Sequence, residues 1–109
     1  MAVKKLRAPK PLDVALTRLL ALATKAVPPH RMAREVDLIV AGWQEEADPS
    51  ETRDRLDELL EQLSAGVADA EAQLSDVDAS EAAAVKQAGL TLSALVATRD
   101  AALRARGAL

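Results

Sequence analysis

The chain has 109 residues, half of them apolar, no cysteine, and a single aromatic side chain, Trp43. Its length is that of one domain, and the missing cysteines exclude a disulfide framework, thiolate catalysis and Cys-based metal sites. The net charge of −3 conceals a segregation into basic, acidic and basic stretches. Residues 1–34 carry eight Lys/Arg against Asp13, residues 35–81 carry fifteen Asp/Glu against Arg53 and Arg55, and residues 82–109 carry four basic groups against Asp100.

A core without aromatics has to be built from Leu, Val, Ile and Ala, and Ala and Leu are strong helix formers. Four Gly and five Pro supply little turn material for a many-stranded fold. These features predict an all-α protein, an antiparallel helical bundle of about four helices. No apolar run reaches the roughly 20 residues needed to cross a bilayer. The basic start lacks the apolar stretch of a secretory signal, so the expected location is cytoplasmic.

Residues 1–11 read as a basic extended arm, with Pro9 and Pro11 disfavouring helix before them. The bundle domain is expected over 12–109. A first helix follows, with Leu12, Leu16, Leu19, Ala23 and Val27 on one stripe and Ala15, Leu20 and Leu22 widening it. Pro28-Pro29 ends it. A second helix is expected over His30–Glu46, with Met32, Val36, Ile39, Val40 and Trp43 on one face. Within it, Val36-Asp-Leu-Ile-Val40 also alternates as a strand would, but a lone strand has no partner elsewhere in the chain.

The third helix is announced by Asp48-Pro49-Ser50-Glu51, an N-cap, a proline at the first helical position and a Glu three residues after the cap. Leu56, Leu60, Leu63, Val67, Ala70 and Leu74 then repeat at the spacing of a coiled-coil seam. Glu51, Asp54, Asp57, Glu58 and Glu61 form an acidic stripe behind it. Asp78-Ala-Ser-Glu81 repeats the cap signature before a fourth helix that runs to about Arg104, with Gly107 closing it. Helices three and four, near 40 Å each, form a long coiled-coil-like hairpin, and the first two are near 24 Å.

The fourth helix has two weakly charged sides. Val85, Ala88, Leu92, Leu95, Val96 and Leu103 form one, and Ala83, Leu90, Ala94, Ala97 and Ala101 the other, with Gln87 and Thr98 beside it. Such a helix is either the central one, covered on both sides, or it offers its Ala-rich side to a partner. Arg99 falls within the apolar stripe, where its head must be paired or reach water. Gly66 and Gly89, inside long helices, permit close approach of another backbone.

The expected function is that of a non-enzymatic protein-interaction or assembly module acting through helix–helix packing. Its partner is a protein or a further copy of itself, contacted through Leu90, Ala94, Ala97, Ala101 and Trp43. The alternative is a nucleic-acid-associated protein that uses Lys4, Lys5, Arg7 and Lys10 on phosphates or on an acidic partner. No aromatic accompanies that arm for base stacking. His30, the one histidine, has no nucleophile or metal-ligand set around it, and no glycine-rich phosphate loop occurs. No cofactor, metal or catalytic residue is therefore expected.

Overall fold

The computed structural model describes residues 10–109. It comprises four helices, α1 (Pro11–Thr24), α2 (Pro29–Glu46), α3 (Pro49–Asp76) and α4 (Ala82–Gly107), and no strand among the described residues. The alternating Val36–Val40 segment is helical throughout. The protein is an all-α helical bundle.

Prolines set three of the four helix starts. Pro11, Pro29 and Pro49 each occupy the first turn, where the missing N–H would be unpaired anyway. Only α3 also has a side-chain cap, with the Glu51 N–H donating to Asp48 Oδ1 at 2.7 Å. The Glu51 carboxylate does not turn back to close a capping box. It accepts instead from Arg55, one turn along the helix, at 3.1 Å.

The end of α1 is a Schellman turn. The Val27 N–H reaches back to Leu22 O at 3.2 Å and the Ala26 N–H to Ala23 O at 2.9 Å. This places Ala26 at a φ of 58°, in the left-handed region where glycine is usual. Pro28-Pro29 then prevents any continuation.

The α3–α4 junction departs from the sequence expectation. Asp78 does not cap α4, which begins at Ala82 with Glu81 at the N-cap and no side-chain bond. The Asp78 carboxylate accepts from the backbone N–H and the hydroxyl of Ser80, both at 2.9 Å, and so stabilises the turn. Those two hydrogen bonds hold its pKa below the usual carboxylate value. At the far end, Gly107 lies inside α4 and Ala108 follows as a right-handed cap, so glycine's left-handed freedom is not used there.

The core is one continuous cluster to which all four helices contribute. Ala15, Leu19 and Ala23 come from α1, and Met32, Val36, Val40 and Trp43 from α2. In α3 the buried row is Thr52, Leu56, Leu59, Leu63, Val67 and Ala70. Leu59 therefore replaces Leu60 in the expected seam, and Leu60 and Leu74 are half-buried. The two leucines are adjacent and both fit between Leu56 and Leu63, so spacing alone does not choose between them.

Helix α4 packs against all three others, most extensively against α3 and α2. Its fully buried residues are Ala94, Leu95, Thr98, Ala101 and Ala102. At 100° per residue they occupy one arc about 120° wide. That arc straddles the inner edges of the two sides read from sequence. Leu92 lies beyond one margin and Ala97 beyond the other, both half-buried, while Leu90, on the same margin as Ala97, and Leu103, almost opposite the arc, are exposed. The glycines do not mark close backbone approach. A Cβ at Gly66 would meet only Leu20 Cδ2 at 3.9 Å, and one at Gly89 nothing within 4 Å.

Candidate functional site

The positions expected to meet a partner are divided by this fold. Ala94, Ala101 and Trp43 are 0%, 1% and 5% exposed and belong to the chain's own core. They are covered because α4 runs centrally, with α2 and α3 packed along it. Ala97 is half-buried and Leu90 is exposed, so the Ala-rich side does not present a continuous outer face. In the basic arm, Lys4, Lys5 and Arg7 lie outside the described residues, and Lys10 is exposed at the N-cap of α1.

Trp43 has a structural setting. Its carbonyl accepts from the Thr52 hydroxyl at 3.4 Å and from the Ala47 N–H at 2.9 Å, tying α2 to the start of α3. The Arg55 guanidinium sits 5.7 Å from the centre of the indole ring, within cation–π range. The same guanidinium pairs with Glu46 at 2.7 Å and Glu51 at 3.1 Å, and these hydrogen bonds raise its already high pKa. Indole, arginine and two carboxylates thus lock the α2–α3 corner.

The acidic stripe of α3 is solvent-exposed along its length. Part of it is neutralised from within the chain: Asp57 pairs with Arg106 of α4 at 2.7 Å, and Glu51 with Arg55. Arg99, expected to be paired or to reach water, does both, since its side chain is 32% exposed and lies 3.4 Å from Asp100. His30 is exposed at the start of α2. Buried polar side chains are satisfied: the Thr98 hydroxyl donates to Ala94 O at 2.7 Å, and no buried side-chain polar atom among the described residues lacks a hydrogen bond.

Large apolar side chains are exposed on α1 (Val14, Leu20), α2 (Leu38) and α4 (Leu90, Leu103). Val14 is 52% exposed and Leu38 60%. They flank a groove of 380 Å³ between the two helices, lined also by Ile39, Gly42 and the edge of Trp43. Arg18 reaches across this helix pair and binds Glu35 with two hydrogen bonds, at 2.9 and 3.2 Å. That pairing depresses the Glu35 pKa and raises that of Arg18. The pair links α1 to α2 beside the groove.

No known protein family matches the chain, and it has no significant match among curated proteins or solved structures. The groove therefore has to be read from its own chemistry. Among the described residues no helix is long and apolar enough to cross a membrane, and no three metal-ligating side chains gather at one point.

Val14 and Leu38 were not singled out from sequence, yet the signal was there. Two residues along a helix is a rotation of about 200°. With Val36 and Val40 both facing the core, Leu38 between them has to point nearly opposite. Val14 lies about 140° around α1 from Leu19 by the same arithmetic. Both apolar residues fall off their helix's core stripe, which leaves them exposed.

Proposed function

We propose that this protein is a non-enzymatic interaction or assembly module that binds another protein chain through helix packing at the α1–α2 groove. The observation that carries the reading is the pair Val14 and Leu38, more than half exposed on either side of one apolar groove. Binding a helix or apolar segment there would remove both from water, and because each is already partly covered the gain is roughly half of the about 1.5–3 kcal/mol that full burial of such a side chain is worth. A largely preformed groove reduces what association costs in ordering. Arg18, Glu35, Arg55 and Asp78 owe their shifts to ion pairs that join helices or, for Asp78, to a turn.

Site-specific photo-crosslinking in extract of the producing cells tests this. A photoreactive residue at Val14 or Leu38 is expected to give discrete protein adducts, while the same residue at exposed Asp69 on α3 gives none. Equal labelling at all three positions, or no protein adduct from either groove position, overturns the assignment. So does salt-sensitive nucleic-acid binding that requires Lys4, Lys5, Arg7 and Lys10 and is indifferent to Leu38→Glu, which would point to the arm.

A further inference from the structure

Helix α2 carries two stripes. Met32, Val36, Val40 and Trp43 face the core. Almost opposite them lie Arg34, Leu38, Ala41 and Glu45, separated by four, three and four residues. At 100° per residue these four fall within an arc of about 60°, and the spacing is that of a coiled-coil seam. All four are exposed, and Leu38 is the most exposed large apolar side chain among the described residues. Beside it, Ala41 and Gly42 make the surface low, and a Cβ at Gly42 would meet nothing within 4 Å.

The stripe is electrically antisymmetric. Arg34 stands at its N-terminal end, with Arg31 a turn before it, and Glu45 at its C-terminal end, while Asp37 lies to one side. Neither Arg34 nor Glu45 forms an ion pair with another described residue. A parallel pairing of two such stripes sets Arg34 against Arg34 and Glu45 against Glu45. An antiparallel pairing about a two-fold axis between residues 39 and 40 does the reverse. It sets Arg34 on the partner's Glu45 and Leu38 on the partner's Ala41. Each leucine then enters the low surface made by Ala41 and Gly42 of the other copy, and Arg34 and Glu45 each meet their opposite.

We infer that the outer stripe of α2 is the contact of an antiparallel, two-fold symmetric dimer of this chain, with Leu38 as its apolar anchor and Arg34–Glu45 pairs fixing its direction. A two-fold interface needs a surface complementary to itself, and a stripe whose charges change sign about its midpoint while its bulky residue faces a small one meets that condition. Val14, across the groove from Leu38, extends the apolar contact onto α1. A contact one helix long is small, so the dimer is expected to be weak and concentration-dependent. The inference rests on the proposed binding role and specifies its partner.

The test is sedimentation equilibrium of the full chain from micromolar to near-millimolar concentration, with helicity checked by circular dichroism for every variant. The wild type is expected to show a reversible monomer–dimer equilibrium, and Leu38→Glu to abolish it. Arg34→Glu and Glu45→Arg are each expected to raise the dissociation constant about tenfold, because each replaces two attractive exposed pairs by two repulsive ones. The double variant Arg34→Glu with Glu45→Arg restores both pairs with their signs exchanged and is expected to recover dimerisation. A wild type that stays monomeric throughout overturns the inference. A dimer insensitive to Leu38→Glu, or one weakened equally by the single and double charge variants, overturns it as well. Neither result touches the photo-crosslinking test, in which a foreign protein at the groove would still support the binding role.

Discussion

The two halves of the α3–α4 hairpin are built from similar residues and are buried very differently. In the half nearest the α2–α3 corner and the C-terminus, α3 contributes Leu56, Leu59, Leu63, Val67 and Ala70 to the core, and α4 contributes Ala94, Leu95, Thr98, Ala101 and Ala102. Beyond Ala70 and before Ala94 no residue is fully buried, and Leu74, Val85, Ala88 and Leu92 are only half covered. The reason is length. Helix α3, with 28 residues, spans about 42 Å, whereas α1, with 14, spans about 21 Å and α2, with 18, about 27 Å. The end of α1 reaches this half, where the Thr24 carbonyl accepts from Gln87 Nε2 at 2.9 Å, but the short helices leave its apolar residues only partly covered. An apolar seam determines which way a side chain faces, while the number of neighbouring helices determines how dry it becomes.

The strongest way to break this contrast is to truncate equivalent leucines in the two halves. Leu63→Ala is expected to cost about 2–5 kcal/mol, since the side chain is fully buried and leaves a cavity. Leu74→Ala, half exposed, is expected to cost less than about 1.5 kcal/mol, mainly lost apolar area. Chemical denaturation of the two variants checks it, and equal costs would mean that the tip is as tightly packed as the base.

A smaller effect separates the two caps. Asp48→Ala is expected to lower stability by about 1 kcal/mol, because Asp48 satisfies the Glu51 N–H at the start of a helix that packs at its first turn through Thr52. The same change at Asp78 loosens an exposed turn in the sparsely packed half and is expected to cost less. Thermal unfolding of both variants decides the order.

The smallest expected change is a gain. Gly89→Ala is expected to stabilise by about 0.5–1 kcal/mol, because Gly89 is mid-helix and the added methyl meets no neighbour. A loss in thermal unfolding would show that the distal half of α4 is more closely covered than its burial implies.

Much of the fold was legible in the sequence because its signals are local. Prolines at helix starts, the Asp48 cap and the apolar periodicities of α1 to α3 depend on residues within a turn or two of each other. The signal failed where it was degenerate. Leu59 and Leu60 satisfy the same spacing, and only the direction from which the neighbouring helices approach selects Leu59. Asp78-Ala-Ser-Glu81 reads as a second cap, yet the chain closes a Ser80 turn on Asp78 and starts α4 later. The candidate site was less legible still. Ala94 and Ala101 look like a surface for another helix, and they are one, but the helix that covers them belongs to the same chain.

The sequence by itself determined that the protein is helical, how many helices it has and where the first three begin, because hydrogen bonding within a helix and apolar periodicity along it are properties of contiguous residues. The tertiary structure alone decided that α4 is central and that Leu59 rather than Leu60 is buried. Burial is set by which helices pack beside a residue, and that depends on the relative lengths and positions of elements far apart in the chain.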